Sequence, residues 1–587
     1  MTGDDAVQAP AVETVVDAPP AAAPSTPHDG VPAWILSARN GLPSVDLTLD
    51  DLPPTSTPPT ATPRARPLTA VLLLGVAVFA LLLVVVPGSI MESDGQSMVQ
   101  VTHSIIERFD FTVSAPLYGQ LNGVRGVDGL LYSKYGPGQS LAAAPLYLLG
   151  KAAALVLPAY YRPEAAIMAA STLTALATAL TAMLVMLAAV ALGATQRGAV
   201  VLSLIYAFCT PALVYATQWF SEPLTGCLVL ASFYALLRAR GVSLIKGQGL
   251  LRVAGVAMAA TVATRPDALL LMPPLLVYGV FTGESRQRLR RAVMILAPLL
   301  FTLAALAFFN QSRFGSPFET GYGRDNIYTQ MDMHPVRSVQ AFFVAIYGLL
   351  LSPGKGLLEY VPVVLFLPLG ALLLWRRRRN AEVVVIGAVA AIALVVHADV
   401  LIRWVGGWSW GPRFLMPVLP LLLLLLAPLV GHKAPGGRLL RGGLGALAVL
   451  GLLIQIPAAV IHEPNVFYYD LRPEYCLHRD VDHCRVGDRL RMENDVEFSL
   501  AASPIGGALG VLFYKGTWTP EHLFAPGRVG RRGVVTAPHT WWYLLYLQGV
   551  PAAGLAAVCA FLLTLFAGAL SLALTLSRDP TPRASPA

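Results

Sequence analysis

The sequence LTAVLLLGVAVFALLLVVVP, residues Leu68–Pro87, contains no charged side chain. A helix of about 20 apolar residues crosses the hydrocarbon core of a bilayer, so this stretch predicts a transmembrane helix. The chain as a whole has a similar character, because 55% of its 587 residues are hydrophobic and 13% are charged. Soluble domains carry about 25% charged residues. The composition therefore predicts an integral membrane protein.

Further apolar runs along the chain have the composition of spans. They lie at Ala165–Leu192, Ala199–Thr217, Pro223–Ala239, Leu250–Thr264, Ala268–Thr282, Ala292–Asn310, Leu357–Trp375, Ala381–Asp399, Phe414–Val430, Leu439–Ile461 and Pro551–Leu576. With the first run they predict an all-α polytopic membrane protein of about twelve transmembrane helices. Only Arg265-Pro266-Asp267 separates the fifth run from the sixth, so one kinked span is the alternative to two short ones there.

The basic residues indicate the orientation of these spans. The net charge of +8 could suggest nucleic acid, but the arginines cluster in short loops between apolar runs and are interpreted as topology signals. Cytoplasmic loops are enriched in Lys and Arg. With twelve spans and a cytoplasmic N-terminus, one side of the membrane receives Arg64, Arg66, Arg197, Arg238, Arg240, Lys246, Arg286, Arg288, Arg290, Arg291, Arg376–Arg379, Lys433, Arg438, Arg441 and Arg578. We therefore predict a plasma (inner) membrane protein with both termini in the cytoplasm and its long loops outside.

Three shorter runs are not predicted to cross. Gln139–Leu157 carries a lysine and a proline, and Ala341–Leu351 is too short to span. Both are interpreted as juxtamembrane or re-entrant helices. Met98–Phe109 has mixed polarity and could form an amphipathic helix in the interface.

The predicted domains follow from these segments. Residues 1–67 are rich in Pro and Ala and poor in large apolar residues, so we expect a disordered cytoplasmic tail. Residues 68–461 form the transmembrane catalytic region, 462–550 an extracytoplasmic loop domain, 551–576 the last span and 577–587 a cytoplasmic tail. In the loop domain, Cys476 and Cys484 are expected to form a disulfide. A metal site that adds His478 and His483 is the alternative, although this spacing is not a standard zinc pattern.

Several charged residues on the predicted outer side lie beside glycine, proline and aromatic residues. Examples are Tyr132–Gly138 (YSKYGPG), Ser352–Gly356 (SPGKG) and Trp404–Arg413 (WVGGWSWGPR). Glycine permits close approach of the backbone, and Trp and Tyr suit the interface or the face of a sugar. Arg and Lys bind phosphate, and a carboxylate can take a proton from a hydroxyl. This composition predicts a pocket for an anionic, lipid-linked sugar.

The order of these motifs resembles the GT-C superfamily of polyprenyl-phosphate-sugar-dependent glycosyltransferases, which includes protein O-mannosyltransferases and the lipid A aminoarabinose transferase. The resemblance covers about Leu68–Ile461. The segments that carry it are Ser93-Asp94-Gly95, Lys134, Gln218–Pro223 (QWFSEP), Asn310–Pro317 (NQSRFGSP), Leu351–Gly356 (LSPGKG) and Gly407–Phe414 (GWSWGPRF). One departure is that no second acid flanks Asp94, since Glu92 lies two residues away.

The resemblance implies a GT-C-like fold and a set of site residues. Asp94 and Glu222 would be catalytic. Substrate would be bound by Glu92, Lys134, Tyr135, Arg265, Lys355, Trp408, Trp410 and Arg413. A divalent metal at Glu92 and Asp94 stays open as a cofactor. The implied partners are a polyprenyl phosphate sugar donor, membrane lipids and an extracytoplasmic glycan, lipid or protein acceptor, with no nucleic acid.

Simpler interpretations of these residues remain open at this stage. Asp94 could be the N-cap of the helix that follows it, and Glu222 could complement a helix dipole. Arg265 and Asp267 could form a structural ion pair, and His397 could pack as part of a polar pair with Asp399. A transporter or flippase of lipid-linked sugars is the alternative function. It would place charges near the bilayer midplane and show internal repeats.

Overall fold

The computed structural model describes residues 65–90, 92–114, 123–322, 339–400, 404–406, 409–430, 437–460, 498, 500, 503–513, 540–547 and 549–577. These residues belong to one compact unit that begins at Pro63. Most of the predicted tail 1–67 and of the predicted loop domain 462–550 falls outside these ranges. The predicted disulfide residues Cys476 and Cys484 also fall outside them.

The regular secondary structure of the described chain is α-helical apart from one small hairpin and short 3₁₀ and π-helical turns. Its helices are α1 (Ala65–Val85), α2 (Ser93–Glu107), α3 (Gly138–Ala154), α4 (Arg162–Ser171), α5 (Leu173–Ala191), α6 (Gln196–Phe208), α7 (Ala212–Tyr215), α8 (Glu222–Ala239), α9 (Leu244–Thr264), α10 (Met272–Phe281), α11 (Arg288–Phe314), α12 (Val339–Leu351), α13 (Leu357–Tyr360), α14 (Leu367–Arg376), α15 (Asn380–Val395), α16 (Leu419–Leu423), α17 (Gly437–Val460), α18 (Pro504–Phe513), α19 (Trp541–Leu547) and α20 (Ala552–Leu576). Between α2 and α3, strands β1 (Val124–Arg125) and β2 (Leu131–Tyr132) pair antiparallel, with Val124 opposite Tyr132.

Six helical segments are long and apolar enough to cross a membrane. They are Leu68–Val85, Arg162–Ala191, Ser285–Phe314, Asn380–Ala398, Gly437–Val460 and Ala552–Leu576. Shorter apolar helices occur at Gln196–Phe208, Pro266–Phe281, Val339–Leu351, Pro362–Arg376 and Leu419–Leu429. The prediction of an all-α, multi-pass membrane protein is therefore confirmed. The count of twelve spans stays a prediction.

The three runs that were not expected to cross are also helical. The predicted interfacial helix is α2, which begins at Ser93, earlier than expected. The other two runs form α3 and α12. On α2, Met98 and Val99 are buried against Tyr147 of α3, so these two helices pack on each other. This packing holds the first turn of α2 in place.

The chain reverses at Arg265, between α9 and α10. Helix α9 ends at Thr264, and Arg265 has extended backbone angles. Gly255 of α9 and Gly279 of α10 both lie against Ile295 of α11. In one continuous helix these glycines would be about 36 Å apart, because each residue adds about 1.5 Å. The segment therefore forms two helices that fold back on each other, and the turn presents Arg265.

The residues before α20 form hydrogen bonds with the C-terminal end of α1. The indole nitrogens of Trp541 and Trp542 donate to the carbonyl oxygens of Leu83 and Val84 at 2.7 and 2.9 Å. The last carbonyls of a helix lack partners within the helix. These bonds satisfy two of them and fix the point at which the chain leaves α1 towards α2.

Candidate active site

The N-termini of α2 and α8 each present a carboxylate to the same arginine. Asp94 lies in the first turn of α2, and Glu92 occupies the N-cap position. Oδ1 of Asp94 accepts a hydrogen bond from the Tyr135 hydroxyl at 2.5 Å, and Oδ2 accepts one from Nη2 of Arg413 at 2.9 Å. The shortest contacts of Asp94 are thus with side chains distant in the sequence, and it does not occupy the cap position.

Glu222 lies in the first turn of α8 and is fully buried. Its Oε1 accepts a hydrogen bond from Nε of Arg413 at 2.6 Å and another from Nη1 of Arg265. Its Oε2 is buried and has no hydrogen-bond partner among the described residues. The partial positive charge of a helix N-terminus favours a carboxylate at this position. Glu222 therefore anchors two arginines at the base of the site.

The ion pairs continue beyond Arg265. Its guanidinium donates to both oxygens of Asp267, at 3.2 and 2.9 Å. Oδ2 of Asp267 lies 3.6 Å from Nε2 of His397. The predicted structural pair of Arg265 and Asp267 is present, and it is joined to Asp94 through Glu222 and Arg413.

Lys134 and two tyrosine rings form the other side of the site. Nζ of Lys134 lies 5.5 Å from the ring centroid of Tyr135 and 5.4 Å from that of Tyr322. The two rings meet edge to face, with centroids 6.1 Å apart. Because Tyr135 also donates to Asp94, this arrangement places a cation and two aromatic faces beside the carboxylate.

The YSKYGPG motif holds Lys134 and Tyr135 through its neighbouring residues. The Ser133 carbonyl accepts from Nη1 of Arg313 at 2.7 Å, and Ser97 of α2 donates to the Ser133 hydroxyl at 3.0 Å. Gly138 packs so closely on Thr264 that an added Cβ would lie 2.5 Å from its backbone nitrogen. The glycines of the motif therefore allow the loop to reach the end of α9, directly before Arg265.

The ionisation of Asp94 follows from these partners. Burial alone would raise its pKa, but the Arg413 guanidinium, the Tyr135 hydroxyl and the nearby Lys134 together hold the pKa below its ordinary value of 3.8. A carboxyl whose folded pKa is lowered stabilises the fold above its unfolded pKa, and it loses this effect as the pH falls through the folded value. Asp94 is therefore a carboxylate at neutral pH.

The lowered pKa of Asp94 gives a prediction for stability. The difference in thermal stability between the wild type and Asp94→Asn should stay constant from about pH 5 to pH 8. It should shrink only in acid below the ordinary value of 3.8. Thermal unfolding of the two proteins in the same detergent across this range measures it. A difference that disappears between pH 5 and pH 7 would contradict the ion pair.

Glu92 contacts the backbone of the segment before α8. Its Oε2 accepts from the backbone N–H of Trp219 at 3.2 Å. Gly95 lies against the same residue, since an added Cβ would be 3.1 Å from the Trp219 carbonyl oxygen. These contacts tie the start of α2 to the segment that leads into α8. Among the described residues, no group of three or more His, Cys, Asp and Glu side chains is arranged to hold a metal.

Two predicted binding residues lie behind the site. Lys355 is buried, and its Nζ donates to the carbonyl oxygen and hydroxyl of Ser409. Trp410 is fully buried and donates to Oε1 of Gln455 at 2.8 Å. Both residues help to hold the segment from Ser409 to Arg413 in place. Their predicted contacts with substrate stay predictions. Trp408 lies outside the described residues.

The sequence interpretation missed the aromatic residues that cover the arginines. The Arg413 guanidinium carbon lies 3.9 Å from the ring centroid of Phe220. The Arg265 guanidinium carbon lies 5.9 Å from the ring centroid of Phe414. The Tyr322 ring was missed as well. Phe220 stands two residues before Glu222 and Phe414 directly follows Arg413, so their adjacency to candidate residues was an available signal.

Comparison with known proteins found no matching family model and no matching curated protein. Among solved structures, the chain is similar to ArnT from Cupriavidus metallidurans in the apo state, with 15% identity and a TM-score of 0.44 over 86% of this chain and 76% of that one. ArnT bound to undecaprenyl phosphate gives 15% identity and a TM-score of 0.41, over 86% and 77% of the two chains. The apo oligosaccharyltransferase of Archaeoglobus fulgidus gives 13% and 0.41, over 75% and 60%.

Proposed function

We propose that this protein is a membrane glycosyltransferase that moves a sugar from a polyprenyl phosphate carrier to an extracytoplasmic hydroxyl acceptor, with inversion at the anomeric carbon. The observation that carries the proposal is the convergence of Asp94, Glu222, Arg413 and Lys134 in a multi-pass helical protein. A structural membrane protein has no need for such a site. On the predicted topology the site faces the outside of the plasma membrane.

Asp94 is the proposed base. It is ionised and 19% exposed, so an incoming group can reach it. An acceptor hydroxyl that takes the place of the Tyr135 hydroxyl at Oδ1 would lie within hydrogen-bond distance of the carboxylate. As the acceptor oxygen bonds to the anomeric carbon, its proton passes to Asp94 and the bond from the sugar to the phosphate oxygen breaks. The bonding electrons leave with the polyprenyl phosphate.

Lys134 is the proposed cation for the departing phosphate. Arg413 already donates to Asp94 and Glu222 through Nη2 and Nε, so its charge serves mainly to orient the two carboxylates. Lys134 lies on the Tyr135 and Tyr322 rings beside the same site. A cation placed where negative charge develops lowers the barrier to reaction. The two tyrosine faces suit the apolar face of a sugar ring.

Glu222 positions the groups that act. Because it is fully buried between Arg265 and Arg413, it keeps both guanidinium groups at the site. Its predicted role in orienting the donor sugar or the acceptor would use the buried Oε2. The loop domain 462–550 is proposed to shape the choice of acceptor.

A panel of donors tests the proposed function. Purified full-length protein in lipid nanodiscs, mixed with different polyprenyl phosphate sugars, should release polyprenyl phosphate from at least one of them, and faster when an acceptor is added. Nanodiscs without protein are the control, and thin-layer separation of the lipid measures release. In proteoliposomes, movement of the donor between leaflets with no release from any donor would contradict the transferase and favour the flippase.

A further inference from the structure

One buried histidine near the site has no part in the proposed reaction. His397 lies in the π-helical turn Val396–Val400 at the end of α15, and its side chain is 9% exposed. Its Nδ1 lies 2.7 Å from the carbonyl oxygen of Ala393, and its Nε2 lies 3.6 Å from Oδ2 of Asp267. The imidazole ring stacks on Phe414, with centroids 4.7 Å apart.

Both ring nitrogens of His397 therefore face oxygen acceptors. A carbonyl oxygen cannot donate, so the bond to Ala393 requires a proton on Nδ1. A neutral ring would then direct the lone pair of Nε2 at the carboxylate of Asp267. A second proton turns this contact into an attraction between opposite charges. The geometry thus suits the imidazolium form.

The imidazolium completes a row of alternating charges that ends at the proposed base. From one end to the other, positive and negative groups follow each other in the order His397, Asp267, Arg265, Glu222, Arg413 and Asp94. In such a row, the loss of one charge leaves the next residue with an unbalanced partner. Without the imidazolium, Asp267 has Arg265 as its positive partner in the row. This changes how Arg265 shares its charge between Asp267 and Glu222.

We propose that His397 and Asp267 are positioning residues, whose ion pair keeps Arg265 on Glu222 and so keeps Arg413 oriented towards Asp94. For its effect on catalysis this inference rests on the proposed transferase function. His397 touches no reacting atom, and its action passes through the two arginines. Loss of the contact between His397 and Asp267 should therefore lower the rate of transfer.

Among the described residues around His397, Asp267 is its counter-ion. The turn after α9 contributes Asp267 and Arg265, and the segment at Arg413 contributes the Phe414 ring. Helix α12 also packs against the π-helical turn, and it contains no charged residue. The side chain of Asp399, on the same turn, lies outside the described residues, so its replacement serves as a control.

Two amide variants separate the two contacts of His397, the hydrogen bond to Ala393 and the ion pair with Asp267. H397Q places an amide N–H near the position of Nε2 and can donate to Asp267 at every pH. H397N places its amide near Nδ1 and loses the contact with Asp267. We expect H397Q to keep more of the wild-type kcat than H397N, and H397N to have a kcat lower by about 10-fold to 100-fold with little change in the KM for donor.

NMR of the full chain with nitrogen-15-labelled histidine gives a readout that needs no enzymatic activity. The signal that H397Q removes belongs to His397. At neutral pH it should show both nitrogens protonated in the wild type and in Asp399→Asn, and a neutral ring in Asp267→Asn. A neutral His397 in the wild type, or an imidazolium that survives in Asp267→Asn, overturns the inference.

The activity assays distinguish the two proposals. If no donor is consumed by the wild type, the transferase function fails whatever the state of His397. If the wild type transfers sugar but H397N keeps the wild-type kcat, or H397Q loses as much of it as H397N, the positioning role alone fails.

Discussion

Replacing Asp94 by asparagine should lower the rate of sugar transfer by at least about 100-fold, since a positioned general base contributes about 10²–10⁴-fold. The amide keeps the size of the side chain and can still accept from Tyr135 and Arg413. It cannot take a proton from an acceptor hydroxyl. Turnover of the best donor from the panel, compared in wild-type and D94N protein in the same nanodiscs, measures the effect.

Asp110→Asn is the matched control for this variant. Asp110 follows α2 in the chain and is paired with Arg108 at 3.1 Å, and its side chain is about twice as exposed as that of Asp94. Arg108 holds the pKa of Asp110 at about 2, so this carboxylate is also ionised at neutral pH. D110N should retain wild-type turnover. Equal activity of D94N and wild type, with donor binding unchanged, would remove Asp94 from the mechanism.

Much of this site could be predicted from the sequence because its residues carry local signals. Asp94 and Glu222 each stand at the start of a helix, where a carboxylate suits the helix dipole. Lys134 lies in a loop whose glycines permit close packing. The predicted orientation placed all three on the outer side, and the structure brings them to one place.

The choice between similar cations could not be predicted. Lys355 and Arg413 both follow a Gly-Pro or Pro-Gly pair, yet Arg413 meets the carboxylates and Lys355 turns towards Ser409. The contact between Arg413 and Asp94 joins residues 319 positions apart in the chain. Such a contact depends on how the helices pack, which local sequence does not specify. The same reason explains why Trp410, predicted beside a sugar, lies in the core on Tyr360.

The role of Arg413 as the bridge between two helix N-termini leads to the largest expected loss of stability. Arg413→Ala leaves Asp94 and the fully buried Glu222 without their shared cation. Removing one partner of a buried ion pair costs about 3–5 kcal/mol. We expect a clear fall in the thermal unfolding temperature in detergent, together with loss of transfer.

A second substitution tests whether the loss comes from the uncompensated charge. In the double variant R413A/D94N, the carboxyl group that has lost its ion-pair partner is replaced by a neutral amide, so the protein should be more stable than R413A alone. This non-additivity is the signature of two directly coupled residues. Arg108→Ala, which breaks an exposed pair, should change stability by no more than about 1 kcal/mol. If R413A and R108A unfold at the same temperature, Arg413 does not join α2 to α8. Asp94 would then depend on Tyr135 and Lys134 alone for its place in the site.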